Sequence, residues 1–357
     1  MMLVSALSSR IADTWSRPTR WPTWRDGRKT PSIPFTVSEM QEFFWLHPYW
    51  AFSTKPGVTM RQRLTPQHIA RLHAPNPPES AAWQDVPANN HGFVSRHNYP
   101  YQPGEDVFIL GLFGSSIAQC FSVQTGATLA RDLQVGLSAN RPVEVLNFGL
   151  GGFKQPQSIF VLIYFLLSGQ RFDAIVLLDG FTEAALSWMN EQREIPIVQP
   201  SALHMDMFAE VPAQFPPPAP RAKLAGPAAV SRIADLWQDS ALMMRQLCQE
   251  RDIPFFLFLH PNQYCSSKTL TEAEREFAVH DRSPYKGGVE AVYPELIRRV
   301  RELHGRGLAA FDATRIFDEV AETAYADNCC HFNDLGNAIL ERFMVDRIVG
   351  HWDRASS

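Results

Sequence analysis

Between residues 105 and 350, short apolar runs alternate with longer segments that have helical patterns of apolar and polar positions. The apolar runs are Val107–Phe113, Val143–Phe148, Ala174–Leu178, Pro254–Leu259 and Leu308–Phe311. The helical segments are Ile117–Leu137, Gln157–Leu167, Ser231–Asp252, Val289–Leu303 and Ala338–Ile348. Nearly continuous apolar runs indicate strands buried on both faces, as in a parallel sheet. The alternation predicts a doubly wound, three-layer α/β domain with a five-stranded parallel sheet and an active site at the carboxyl ends of its strands.

Residues 1–104 lack strong periodicity and are rich in proline and aromatic residues, for example Trp15, Trp21, Trp24, Trp45 and Trp50. The rings are compatible with a wrap of helix and loop that packs on a neighbouring domain, or with a surface on which sugars stack. Burial is the commoner use of aromatic side chains. We therefore predict an N-terminal extension, residues 1–104, that packs on a catalytic domain spanning residues 105–350.

A proline-rich insertion at about residues 190–230 interrupts the alternation, with eight prolines between Pro196 and Pro227. Such a segment cannot form a regular helix or a central strand. It follows the third predicted strand and so lies near the edge of the expected site. A lid or substrate-shaping loop and an extended, packed insertion are both compatible with it. His204 lies within this segment and is a candidate for contact with substrate.

The composition excludes several classes of protein. The net charge is −4, without the basic excess that nucleic-acid binding requires. No apolar stretch is long enough for a transmembrane helix, and Met1–Leu7 lacks the charged region of a secretory signal, so we expect a cytoplasmic protein. The five cysteines predict neither a disulfide framework nor a zinc site, and we expect no metal. The sequence does not indicate an oligomeric state.

Candidate chemistry begins where the first predicted strand ends, at Gly114-Ser115-Ser116. A serine at a strand-to-helix turn exposes its hydroxyl at a helix N-terminus, where backbone amides favour developing negative charge. Gly114 lets the chain turn tightly. The alternative is that Ser115 or Ser116 only caps the helix.

The second and third strands end in Gly149-Leu150-Gly151-Gly152 and in Asp179-Gly180-Phe181-Thr182-Glu183. Exposed glycine amides are suitable oxyanion donors. The glycine spacing does not match the dinucleotide-binding fingerprint. Thr182 is a candidate hydrogen-bond donor, although it could equally cap the next helix.

Asp327 and His331 are close enough in sequence to share a loop before the last predicted helix. In that arrangement the acid holds one imidazole nitrogen while the other faces a nucleophile. Because the strand ends meet at one edge of the sheet, we expect Ser116 and His331 to meet there. A lone histidine, by contrast, is more often structural.

Together these segments resemble the SGNH hydrolase superfamily, also called GDSL esterases, over residues 90–349. The matching positions are Gly114-Ser115-Ser116, Asn147, Gly149, Gly152, Gly180-Phe181-Thr182-Glu183, Asp327, His331, Asn333 and Gly336. Leu259–Tyr264 is similar to larger bacterial members. The resemblance implies a flavodoxin-like SGNH fold without a cofactor. It also implies a triad of Ser116, His331 and Asp327, and an oxyanion hole formed by Ser116, Gly152 and Thr182.

Three positions depart from the family pattern. Ser115 replaces an aspartate or glycine, which leaves Ser115 as an alternative nucleophile. Thr182 replaces an asparagine. Asp327 stands four residues before His331 instead of three, so Asn328 is an alternative partner for the ring. A carboxylate stabilises an imidazolium and a neutral amide does not, which favours Asp327.

The resemblance implies a serine esterase that cleaves an ester-linked acyl group, for example acetyl on a carbohydrate. An O-acyltransferase acting on a glycan and a catalytically impaired binding protein are the alternatives. Glu183, His260 and Phe153 are candidates for substrate binding. The expected partner is a small-molecule or glycan ester, not a nucleic acid.

Overall fold

A computed structural model describes residues 42–63, 85–137, 141–205 and 222–356. Several sequence predictions concern residues outside these ranges. They include the rings of Trp15, Trp21 and Trp24, the candidate signal segment Met1–Leu7, and the centre of the proline-rich insertion at 206–221.

The described chain contains seven strands and nine helices. The strands are β1 (Phe44–His47), β2 (Ala51–Thr54), β3 (Phe108–Gly114), β4 (Val143–Gly149), β5 (Ala174–Asp179), β6 (Phe255–Leu259) and β7 (Ala310–Asp312). The helices are α1 (Met60–Arg63), α2 (Ser116–Gly136), α3 (Gln157–Leu167), α4 (Phe181–Gln192), α5 (Ala202–Met205), α6 (Gly226–Gln249), α7 (Glu272–Phe277), α8 (Lys286–Gly305) and α9 (Asp334–Ser356).

Strands β3 to β7 form one parallel sheet in the order β4-β3-β5-β6-β7. Every residue of β3, β5 and β6 is buried, because both faces of the sheet are covered by helices. α2 packs against α9, while α4, α6 and α8 pack against one another. Right-handed crossovers in this strand order place these two groups of helices on opposite faces. The predicted doubly wound α/β fold with a five-stranded parallel sheet is confirmed.

The direction of strand order reverses at β3, whose neighbours are β4 on one side and β5 on the other. After β3 the chain crosses to β4, and it then returns past β3 to build the rest of the sheet. The loops that follow β3 and β5 therefore leave in opposite directions and open a crevice at the carboxyl ends of these strands. Ligands of open α/β sheets bind at such switch points.

The predicted helix Gln157–Leu167 has the bounds of α3. The last strand is shifted, since it was predicted at Leu308–Phe311 and lies at Ala310–Asp312. Helix α7 was not predicted, although its start carries a signal. Thr271 and Glu274 form a capping box, in which the Thr271 hydroxyl accepts from the Glu274 amide at 3.1 Å and the Glu274 carboxylate accepts from the Thr271 amide at 2.9 Å.

The expectation of helix and loop around residues 42–54 was wrong in one respect, because β1 and β2 form an antiparallel hairpin there. Its buried rings, Trp50 and Phe52, belong to the same core cluster as the parallel sheet. Trp50 contacts Phe165 of α3 with ring centroids 6.1 Å apart, and its carbonyl accepts a 2.7 Å hydrogen bond from Gln157. Within the described residues, no helix is both long and apolar enough to cross a lipid bilayer.

We expect Trp50→Ala to lower the free energy of unfolding by about 3–5 kcal/mol, since it removes a large side chain that is only 1% exposed. Trp45, which is 41% exposed on the same hairpin, is the matched control. Trp45→Ala should change stability by about 0.5 kcal/mol or less. Urea unfolding of both variants measures the difference; equal losses would show that the hairpin is not part of the core.

Candidate active site

Three strand ends and one loop meet at the crevice of the sheet. In the paired register, Gly114 at the end of β3 lies opposite Gly149 of β4 and Leu178 of β5. Gly114 has a φ of +145°, and a Cβ there would lie 2.2 Å from the Leu178 carbonyl oxygen. Only glycine permits this close approach and turn, which leads directly into α2.

Ser116 is the first residue of α2, and its Oγ lies 2.9 Å from Nε2 of His331. The two residues are 215 positions apart in the chain. Ser115 occupies the N-cap position, but its side chain makes no capping hydrogen bond. The Ser115 hydroxyl is buried and has no partner within the described residues. Of the two serines, Ser116 is thus the one in contact with the imidazole.

Asp327 holds His331 from the other side. Its Oδ2 lies 2.5 Å from His331 Nδ1, while its Oδ1 accepts hydrogen bonds from the amides of Cys329, Cys330 and His331. The spacing of four residues lets the loop wrap its amides around the carboxylate. Asn328, the alternative partner, uses its carbonyl to accept a hydrogen bond from Tyr264, and the ring is held by Asp327.

The segment that follows β6 supports this loop. Gln263 donates to the carbonyl of Asp327 at 3.1 Å, and Asn262 donates to the carbonyl of Cys329 at 3.0 Å. With the Tyr264 hydroxyl, three consecutive residues therefore hold three backbone carbonyls of the Asp327–His331 loop. In the sequence, this segment shows only its family resemblance. Its supporting role depends on contacts between residues more than 60 positions apart.

Burial and charge have opposite effects on the pKa values of His331 and Asp327. Burial alone would lower the pKa of His331, but the charge and hydrogen bond of Asp327 outweigh it and raise that pKa above 6.5. Burial would likewise raise the pKa of Asp327, yet His331 and the loop amides hold it below its ordinary value. The pair is therefore arranged to stabilise an imidazolium beside a carboxylate.

The glycine-rich turn after β4 presents one free amide. The Gly149 amide donates to the Asn147 side chain at 2.9 Å, and the Gly151 amide donates to Gln119 at 3.1 Å. Within the described residues, neither the Gly152 amide nor the Ser116 amide has an acceptor. A Cβ at Gly151 would lie 3.7 Å from Cβ of Ser116, which places this turn beside the serine. Unpaired amides at this point can hold an anionic oxygen.

The polar side chains at and after the end of β5 form hydrogen bonds with other residues of the protein. The Thr182 hydroxyl lies 3.3 Å from Oε2 of Glu183, to which it donates a long hydrogen bond. Glu183 also accepts the amides of Gly180 and Gln155, both at 2.9 Å. Burial and the neighbouring Glu183 raise the pKa of Asp179, which accepts a 2.9 Å hydrogen bond from the Gln155 side chain. Through Gln155, the carboxyl groups of Asp179 and Glu183 therefore link the loop after β4 to the residues that follow β5.

The other predicted substrate-binding residues are also buried. His260 accepts from the Phe181 amide at 3.2 Å through Nε2, and its Nδ1 lies 2.9 Å from the carbonyl of Pro261. The Phe153 ring is fully buried against Phe52 and Phe93. Like Glu183, His260 and Phe153 contact other residues of the protein, as supporting residues do.

Sequence reasoning missed two polar side chains of the site, Gln119 and Gln155. Gln119 had a usable signal, since it stands three residues after Ser116 on α2 and therefore shares its helix face. Gln155 had none, because its contacts with Asp179 and Glu183 join two loops.

No protein-family model and no curated protein sequence matches the chain. Similar solved structures include a GDSL-like lipase from Bacteroides thetaiotaomicron (12% identity, 71% of this chain and 92% of that one, TM-score 0.39). A lipase/acylhydrolase from Enterococcus faecalis has 15% identity over 68% of this chain and 96% of its own, with a TM-score of 0.37. An acetylxylan esterase from Geobacillus stearothermophilus has 13% identity over 68% and 94%, with a TM-score of 0.38.

We expect the imidazole of His331 to titrate above pH 6.5, and Asp327→Asn to bring its pKa below that value. Without the carboxylate, burial is the remaining influence, and burial favours the neutral ring. Nuclear magnetic resonance of the ring nitrogens measures both values. Asn328→Ala is the matched control and should leave the titration unchanged. If Asn328→Ala lowered the pKa and Asp327→Asn did not, Asn328 would be the partner of the ring.

Proposed function

We propose that the protein is a serine hydrolase that cleaves an ester-linked acyl group. The observation that carries this proposal is the continuous contact Ser116 Oγ–His331 Nε2 and His331 Nδ1–Asp327 Oδ2, at 2.9 and 2.5 Å. A nucleophile, a base and an acid that orients the base are arranged in this order in serine hydrolases of unrelated folds. Two unpaired amides beside the serine add a site for the oxyanion.

In the first step, His331 removes the proton of Ser116 as Oγ attacks the ester carbonyl. The carbonyl oxygen becomes an oxyanion, which accepts hydrogen bonds from the amides of Ser116 and Gly152. Asp327 stabilises the imidazolium and accepts a hydrogen bond from its Nδ1–H. Collapse of the tetrahedral intermediate releases the alcohol, which takes a proton from His331, and leaves the acyl group on Ser116.

In the second step, water or a sugar hydroxyl attacks the acyl-enzyme, with His331 again as the base. The acyl group leaves as an acid or as a new ester, and Ser116 regains its proton. The proposed substrate is an ester of a small molecule or a glycan, such as an acetylated carbohydrate. This chemistry requires proton transfer and oxyanion stabilisation, which the residues named above supply.

Ser116→Ala should lower the hydrolysis of a short-chain p-nitrophenyl ester by about 10³-fold or more, because the acyl-enzyme cannot form. The same variant should not be labelled by a fluorophosphonate, which reacts with activated serines. Acetyl, butyryl and octanoyl esters are assayed in parallel, so that the same experiment identifies the acyl chain that the protein prefers.

Ser115→Ala is the matched control and should retain both hydrolysis and labelling. Loss of both with Ser115→Ala, and not with Ser116→Ala, would assign the nucleophile to Ser115. A wild-type protein that neither hydrolyses any of the esters nor reacts with the fluorophosphonate would be a binding protein, and the proposed function would be wrong.

The pH dependence follows from the raised pKa of His331. Only the neutral ring accepts a proton from Ser116, so kcat/KM should rise with pH through a midpoint above 6.5 and then level off. Asp327→Asn should lower kcat by about 10⁴-fold, as loss of the orienting carboxylate does in another serine hydrolase. It should also move the rise of kcat/KM, which is the acidic limb of the pH profile, to lower pH. A profile without this limb would exclude His331 as the base.

A further inference from the structure

Two adjacent cysteines lie inside the loop that joins Asp327 to His331. The Sγ atoms of Cys329 and Cys330 are 3.3 Å apart, close enough for one thiol to donate a weak hydrogen bond to the other. Side chains of successive residues point to opposite sides of an extended chain, so this approach depends on the turn that the loop makes around Asp327. All five cysteines of the chain carry free thiols.

The cysteine pair belongs to the structure that orients the triad. Oδ1 of Asp327 accepts hydrogen bonds from the amides of Cys329 and Cys330, both at 2.9 Å. Sγ of Cys330 lies 3.9 Å from Nε2 of His331, the nitrogen that contacts Ser116. A change in the geometry of the two cysteines therefore reaches the carboxylate on one side of the imidazole and the reacting nitrogen on the other.

The two thiols differ in their access to solvent. Cys329 is partly exposed, whereas Cys330 is fully buried. Burial raises the pKa of Cys329, so its reactive thiolate is more abundant at mildly alkaline pH than near pH 7. A reagent in solution thus meets Cys329 first, and Cys330 reacts only with a partner that is already inside the loop.

We propose that this pair is a modification site, at which a small organic disulfide generates a reversible Cys329–Cys330 disulfide that switches off hydrolysis. The Cys329 thiolate attacks one sulfur of the reagent, whose S–S bond breaks, and one small thiol leaves. Cys330 then attacks Sγ of Cys329, the mixed disulfide breaks, and the second small thiol leaves. The protein loses two electrons and two protons, and the reagent gains them as two thiols.

Closure of this bond changes the peptide group between the two cysteines. The Sγ atoms must approach to about 2.0 Å, and the small ring so formed contains that peptide group. Consecutive Cα atoms are about 3.8 Å apart, below the usual range of about 4.4–6.8 Å for disulfide-linked residues, so the ring is strained and readily reduced. The Cys330 amide belongs to the same peptide group, and its hydrogen bond to Asp327 is therefore altered as the ring closes.

The effect on hydrolysis rests on the proposed function, whereas formation of the bond does not. Reduced wild type is incubated with hydroxyethyl disulfide at mildly alkaline pH, and the excess reagent is removed. We expect the peptide that contains both cysteines to become lighter by two hydrogen atoms in mass spectrometry. The kcat on a short-chain ester should fall by about 10²-fold, because a displacement of about 1 Å in a catalytic group costs this much. Dithiothreitol should reverse both changes.

Three variants separate the steps, each compared with its own reduced form so that its basal activity does not enter. Cys329→Ala lacks the attacking thiol and should keep its kcat through the treatment. Cys330→Ala lacks the second thiol and should accumulate the mixed disulfide at Cys329. Cys265→Ala is the matched control, since Cys265 is also partly exposed, and it should respond like the wild type. If Cys330→Ala does not fold, Cys329→Ala decides.

A treated wild type in which Cys329 and Cys330 both stay reduced would overturn the modification site. An oxidised pair with unchanged kcat, or an equal loss of kcat in treated Cys329→Ala, would overturn the switch. The reduced wild type would still cleave esters and label at Ser116 in these cases, so the proposed function would stand. A reduced wild type that does neither would overturn the proposed function and the switch with it, while the peptide masses would still decide the modification site.

Discussion

The contact between Ser116 Oγ and His331 Nε2, 2.9 Å long, is the constraint on which the site depends. It joins the first turn of α2 to a loop that comes 215 residues later, so it exists only if the whole sheet is assembled in the right order. The order β4-β3-β5-β6-β7 brings the two ends to one edge, and the turn at Gly114 directs the serine outward. Fold and site are therefore formed together, and damage to the sheet register would separate the two side chains.

A buried carboxylate is unfavourable unless its charge is compensated. Asp327 meets this condition with hydrogen bonds from three backbone amides besides its bond to His331. Those amides belong to a loop whose carbonyls are held by Asn262, Gln263 and Tyr264. The loop is thus held by hydrogen bonds from both sides.

The parallel sheet can be predicted from the sequence, because its strands are buried on both faces and appear as continuous apolar runs. It was not sufficient for the hairpin β1–β2, whose four-residue strands show no regular alternation of buried and exposed positions. Local patterns also placed Ser116 and His331 at strand or helix ends. They could not give the contact of the Thr182 hydroxyl with Glu183. Nor could they give the contact of His204 with Gly152, which joins two separate loops.

The His204 ring lies between Phe52 and Gly152, so it connects the N-terminal hairpin with the turn after β4, a contact that neither interpretation of the N-terminal sequence contained. Burial lowers the pKa of His204 to about 4, and this burial requires a surface against which the ring can stack. Phe52 supplies that surface, while Lys154 and Asn190 hold the backbone so that the ring cannot withdraw. The hairpin, the insertion and the turn after β4 therefore pack as one unit, and loosening any of them would expose His204 and raise its pKa towards 6.5.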